Sequence, residues 1–193
     1  MKGRPNIHTD KELIMKAQEI FWQKGYNATS LSDLTNVTGA GAGSLYNTFK
    51  GGKKQLFLEA LLQRREELLR FKQLLESSDF PVTLIRKFFL DIANADNNTH
   101  LKGCIIANTI IEMTFVDDEL KEVATQILKE TEQMYTSVIA QEQKNGNIKS
   151  TISAGTLGKF LISFWCGINA LRRIYPDKKI LKAQIELQLQ ILN

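Results

Sequence analysis

Apolar residues recur along this chain at helical spacing, and no stretch sustains the period-two alternation of a strand between hairpin turns. Leu13, Ile14, Ala17, Ile20 and Phe21 share one face of a helix predicted from about Asp10 to Lys24, which Gly25 ends. Thr29-Ser30 is a capping pair for a short helix carrying Leu31, Leu34 and Val37. Gly39-Ala40-Gly41 reads as a turn, followed by a second short helix from Ala42 to about Thr48 with Leu45 inside. A long helix is predicted from about Lys53 to Glu76, on Leu56, Phe57, Ala60, Leu61, Leu68 and Leu75.

Pro81 suits the first turn of the next helix, lined by Leu84, Ile85, Phe88, Phe89 and Ile92. Asn94 to His100 reads as a polar loop, and Lys102 to Phe115 as a helix. Asp117-Asp118-Glu119 places acids at the start of a long helix that closes near Asn145-Gly146. The last two helices are expected from Ser153 to Ile174 and from Asp177 to Leu192, with Tyr175-Pro176 between them. The fold class is therefore all-α, with about nine helices. There is no repeat or Gly/Ser-rich linker, so a domain boundary belongs in or beside the long fourth helix, giving segments 1–50 and 51–193.

Composition removes other classes. The 193 residues are 43% hydrophobic with 12 Gly, 3 Pro and 2 Cys, too apolar for a disordered chain and too poor in Cys for a disulfide scaffold. Cys104 and Cys166 lie in apolar surroundings and read as buried thiols of a reducing cytoplasm. No apolar run is long enough to span a membrane, and no signal-peptide core follows the basic start. The net charge of +4 is uneven. Residues 1–57 hold eight Lys/Arg against four acids, while the other 136 residues hold 17 of each sign. A localised excess suits a polyanionic partner, although a solvated surface has the same composition.

One long and two short helices with a tight glycine-containing turn between the short pair form a helix-turn-helix plan. The residues that fill it are Ala17, Phe21, Gly25-Tyr26, Thr29-Ser30, Leu31, Leu34, Gly39, Gly43-Ser44-Leu45-Tyr46-Asn47, Phe49 and Leu56-Phe57. Over about residues 7–67 this resembles the DNA-binding domain of TetR-type transcriptional regulators, with the recognition motif at 30–49. The resemblance implies that Thr29 and Ser30 face phosphate at the start of the second helix and that Gly41 stands at the recognition-helix cap. Gly43 would let that helix approach the backbone closely. Ser44 and Tyr46 offer hydroxyls, Asn47 can read adenine, and Leu45 and Phe49 belong to the core. Lys53 and Lys54 are expected as phosphate clamps, supported by Lys2, Arg4 and Lys50. Two departures stand out: Ala42 occupies a position that is often basic in the family, and the loop before Leu56 is one residue longer.

The second half offers a short stretch, Gly103-Cys104-Ile105-Ile106-Ala107-Asn108-Thr109, that resembles one group of TetR-type regulators. The region from Pro81 to Leu171 carries more large apolar residues than one dimer face needs. A mostly apolar effector pocket is expected from Phe88, Phe89, Ile92, Ile106, Met113, Met134, Tyr135, Phe160 and Phe164, oriented by Asn108, Thr109, Glu112 and Asn169. A filled core is the competing arrangement. The last two helices each bear two apolar stripes. Leu157, Leu161 and Ile168, with Leu181, Ile185, Leu189 and Leu192, form the stripe assigned to a homodimer interface, and Ile180, Leu187 and Ile191 form another.

No catalytic or metal constellation is present: His8 and His100 are the only histidines, and there is no G-x-S-x-G, Walker or C-x-x-C pattern. No cofactor is expected. The reading is a ligand-responsive regulator, most simply a homodimeric repressor binding a palindromic double-stranded operator in the cytoplasm, with no membrane partner. The rivals are a helical carrier or enzyme without DNA binding, and a non-specific architectural DNA-binding protein.

Overall fold

The structure, a computed structural model, describes residues 9–193. Lys2 and Arg4, expected near phosphate, lie outside the described residues. The first helix, α1 (Asp10–Lys24), begins with a reciprocal capping box: Thr9 Oγ1 accepts from the Glu12 N–H at 3.3 Å and the Glu12 carboxylate accepts from the Thr9 N–H at 2.9 Å. It stops at Gly25, whose φ of 82° a side chain would rarely tolerate. In α2 (Leu31–Thr38) the same device is built from Ser30 and Asp33. The third helix, α3 (Ala42–Thr48), starts at Gly41 with no side-chain cap.

The fourth helix, α4 (Gly52–Glu76), has 25 residues and is therefore about 37 Å long at about 1.5 Å per residue. Leu13, Ala17 and Phe21 of α1 pack with Leu34, Leu45, Phe49, Leu56 and Phe57 into a core that continues without a break through Cys104, Ile105, Met113 and Leu120. The small helices of the first 50 residues thus share one apolar core with the middle of the chain.

The rest comprises α5 (Pro81–Leu90), α6 (Asn97–Lys102), α7 (Ile105–Met113), α8 (Asp118–Lys144), α9 (Ala154–Leu171) and α10 (Lys178–Leu189), with single 3-10 turns at 91–94 and 190–192. Pro81 occupies the first turn of α5 as expected. The segment 94–100 is not wholly a loop. Asp96 accepts from the Thr99 N–H at 2.7 Å and starts α6, and buried His100 fixes it inward. Capping and one buried contact form this helix, which has no apolar periodicity to announce it. Gly103, at φ 66°, separates α6 from α7, so the helix expected from 102 to 115 starts only at Ile105 and ends at Met113. A Cβ there would lie 2.9 Å from the Asn169 carbonyl oxygen.

A second core gathers Ile85, Phe89, Tyr135, Ile139, Leu157, Leu161, Leu181, Ile185 and Leu189 from α5, α8, α9 and α10. Among the described residues no helix is long and apolar enough to cross a membrane.

Candidate nucleic-acid interface and effector cavity

Gly41, Ala42, Gly43, Tyr46 and Asn47 form the exposed face of α3, with Lys50 exposed just beyond it. Leu45 and Phe49 point the other way, 4% exposed each, as the sequence required of core residues. A Cβ added at Gly41 or Gly43 would meet nothing within 4 Å, so a flat partner can approach the N-terminal turn of α3 closely. Tyr46 lies against Gly52, whose added Cβ would come within 3.3 Å of Tyr46 Cε1. Ser44 is half-buried at the edge of the face. Asp33 is the sole acid between residues 20 and 58. Its carboxylate is bound by Lys24 at 2.6 Å and by Ser30, which holds its pKa down at about 2. The face therefore presents no unpaired carboxylate.

Several residues expected at the interface are engaged by the protein itself. Thr29 is 1% exposed and does not cap α2; its hydroxyl donates to Gly25 O at 2.6 Å, and Ser30 is the cap. Ser30 in turn is committed to Asp33. Lys53 donates to Tyr26 O and Thr29 O, both at 3.0 Å, with its ammonium 4.4 Å from the Tyr26 ring centroid. Lys54 pairs with Asp117 at 2.7 Å and Glu119 at 2.8 Å, which raise its pKa. Part-buried carbonyls and nearby acids satisfy these amines more closely than an open surface would. Lys16 likewise donates to Thr38 O. Of the described lysines in this segment, Lys11 and Lys50 remain outside such contacts.

Behind the three small helices lies a cavity of about 280 Å³. Trp22 of α1, Leu68 and Phe71 of α4, Phe88 of α5, Ile106 of α7, Leu128 and Tyr135 of α8 and Trp165 of α9 form its apolar walls. Phe88 stacks between Phe71 and Trp165, with ring centroids 4.9 and 5.1 Å away. Polar groups enter at Thr99, Gly103, Thr131, Arg172 and the Arg64–Glu67 ion pair. The Gly103 carbonyl accepts from Trp22 Nε1 at 3.0 Å and from an Arg172 NH2 at 3.2 Å.

The Gly103–Asn108 stretch thus builds one wall. Gly103 makes the corner and Cys104 Sγ accepts from the Ala107 N–H and from Trp165 Nε1. Asn108 Nδ2 reaches back to Lys102 O at 3.3 Å. Cys104 is buried, but Cys166 is only half-buried, and burial, with Cys104 nearby, pushes its pKa up to about 11.

Of the thirteen residues expected in the pocket, Phe88, Ile106 and Tyr135 line it. Phe89, Ile92, Met113 and Met134 are buried in packed core instead. Phe160 and Phe164 stack on each other, and Phe164 on Phe89. Thr109 donates to Ile105 O, and Asn169 to Trp165 O, each within its own helix. Glu112 accepts from the backbone N–H groups of Tyr26 and Asn27. Sequence reasoning missed Trp22, Phe71, Trp165 and Arg172 as lining residues. Arg172 had a signal: it continues the buried stripe of Leu157, Leu161 and Ile168.

The stripe assigned to a dimer interface is internal. Leu157, Leu161, Ile168, Leu181, Ile185, Leu189 and Leu192 are all 3% exposed or less, packed in the subunit's own second core. Of the other α10 stripe, Ile180 and Leu187 are 52% and 62% exposed, while Ile191 is half-buried against the second core; Leu171 and Ile174 at the end of α9 are also exposed, as are the small residues Ser163, Gly167 and Ala170. An amphipathic helix must cover its own core first, and the stripe richer in leucine does so.

Comparison with known proteins agrees with this architecture. Residues 13–60 match the family described as bacterial regulatory proteins, tetR family, and residues 83–186 match the tetracyclin repressor-like C-terminal domain. The chain is 26% identical to the HTH-type transcriptional repressor DhaR of Mycobacterium sp. (strain GP1) over 160 residues, 81% of this chain and 78% of that protein. It is 27% identical to the uncharacterized HTH-type transcriptional regulator YezE of Bacillus subtilis (strain 168), covering 97% of this chain and 98% of the relative. A cysteine mutant of the TetR family regulator CifR, solved in complex with 26-base-pair double-strand operator DNA, has the same fold, with a TM-score of 0.83 at 18% identity over 99% of this chain and 100% of that one.

Proposed function

Because the chain belongs to the tetR family of bacterial regulatory proteins, we propose that it is a ligand-responsive homodimeric repressor whose α3 reads a palindromic operator. Residues 1–50 carry DNA recognition and 51–193 carry effector binding and dimerisation. The contact face is Gly41, Ala42, Gly43, Ser44, Tyr46, Asn47 and Lys50, with Asn47 reading a base edge and Lys50 a phosphate. The exposed stripe of α9 and α10 pairs with its twofold copy, which brings two α3 helices to half-sites roughly 34–36 Å apart or a multiple of it. Its workplace is the cytoplasm, where such operators are found.

One observation carries the regulatory part. Trp22 belongs to α1, which supports α3, yet its indole lines the cavity and donates to Gly103 O. A small, mostly apolar effector in that cavity contacts the DNA-binding helices directly. It acts by favouring the arrangement of α1 and α4 in which the recognition helices are out of register with the grooves. By reciprocity the operator weakens effector binding by the same factor.

The test is a randomised-site selection followed by operator binding with and without a cavity ligand. A palindromic preference, lost on ligand addition, is the expected result. Equal affinity for all duplex sequences would refute specific regulation.

A further inference from the structure

The effector reading leaves the ligand's chemistry open, and Arg172 narrows it. Its side chain is in the cavity wall and only 4% exposed. One NH2 donates to Gly103 O, while buried Nε has no hydrogen-bond partner. Among the described residues no carboxylate lies within ion-pairing distance of it. Guanidinium stays protonated in proteins, so this is a buried charge without a counter-ion.

The neighbours do not supply one. The other arginine of the cavity, Arg64, is paired with Glu67. The lining therefore carries two cations and one anion, a net single positive charge. His100 is buried close by with Nδ1 unpartnered; burial and then the Arg172 charge lower its pKa, which keeps it neutral at pH 7. A buried cation beside an apolar cavity is costly unless an anion pairs with it.

We propose that the cavity binds a small aromatic monocarboxylate, with the carboxylate on the Arg172 fork and the ring against Trp22, Phe88 and Trp165. This rests on the cavity being the effector site. A guanidinium offers parallel donors matched to a carboxylate. The stacked rings of Phe71, Phe88 and Trp165 make a flat wall that suits a planar ligand. A volume of about 280 Å³ falls just under the roughly 300–1,000 Å³ typical of drug-sized ligands, so one ring and a short acid arm suit it. A phosphate monoester, with roughly −1.5 to −2 charge, would exceed the single positive charge and set unpaired oxygens against rings.

The sequence has 2 Trp, and both line the cavity, so emission from the full-length protein reports its occupancy. Phenylacetate, 3-phenylpropionate and 4-phenylbutyrate are titrated, each beside its primary amide, by tryptophan emission and calorimetry. At least one acid should bind about thirtyfold or more tightly than its amide, the scale expected for a buried charge pair. R172Q should bring acid and amide to equal affinity, and R172K should restore part of the difference. Equal binding of acids and amides to the native protein, no binding of any acid at millimolar concentration, or an undiminished acid preference in R172Q would overturn the proposal. If R172Q does not fold, the acid–amide comparison on the native chain decides. An acid that binds as expected yet leaves operator affinity unchanged refutes the effector role of the cavity and leaves the carboxylate site standing.

Discussion

The Glu112 carboxylate lies 2.9 Å from the backbone N–H of Tyr26, joining the end of α7 to the turn after α1. Its other oxygen accepts from the Asn27 N–H at 2.7 Å. Gly25 sits so close that an added Cβ would be 2.9 Å from Glu112 Oε2. One acid of the regulatory half thus closes the backbone turn on which α2 and α3 are mounted.

Glu112→Ala leaves two backbone donors without their acceptor, one of them partly buried. The expected loss in unfolding free energy is about 1–3 kcal/mol, read by chemical denaturation. Gly25→Ala should also destabilise, because it combines a positive φ with a collision at Glu112. An unchanged denaturation midpoint in Glu112→Ala would show that the clasp carries no stability.

Asn47→Ala should cost about 1–3 kcal/mol on the cognate operator and flatten preference at one base pair. Lys50→Ala should weaken all duplexes alike and lower the salt slope by about 1. Lys53→Ala should act differently. Its amine holds Tyr26 O and Thr29 O, so the variant should lose thermal stability with little change in salt slope. A salt slope reduced in Lys53→Ala as much as in Lys50→Ala would show that Lys53 leaves its carbonyls for phosphate.

Leu187 and Leu189 separate the two stripes of α10. Leu189 is 1% exposed and Leu187 62% exposed. Leu189→Glu buries an unpaired charge and should prevent folding or cost more than about 3 kcal/mol. Leu187→Glu should keep its helical spectrum, become monomeric in light scattering and lose operator affinity. A dimeric Leu187→Glu variant would place the subunit interface elsewhere.

Asp33 gives a pH prediction of definite sign. Lys24, together with the Ser30 N–H and hydroxyl, lowers its pKa from the ordinary 3.8 to about 2. A depressed folded-state pKa contributes stability that is complete above the unfolded value and lost as pH falls through the folded one. Stability should therefore drop between pH 3.8 and about 2, and Asp33→Asn should remove that component. Thermal unfolding followed across this window checks it. Parallel curves for the native chain and the variant would contradict it.

Local order determined much of this protein in advance. Caps, glycine stops and apolar spacing are properties of neighbouring residues, so the bounds of α1, α2, α3 and α8 were readable from the sequence, while the outward face of α3 and the burial of Leu45 and Phe49 were what the family resemblance implied. Tertiary structure decided what depends on distant partners. Lys53 and Lys54 are basic in any reading, but only the fold sets carbonyls and acids beside them. Leu189 and Leu187 are chemically alike, and only packing against α5 and the turn at 91–94 makes one core and the other surface. The cavity draws Trp22, Phe88 and the Trp165–Arg172 pair from three separate segments, and a void between helices leaves no period in the chain. Hydrophobic patterning specifies that a face is buried; which face meets which, and where the packing leaves space, is fixed by side-chain shapes meeting across the whole molecule.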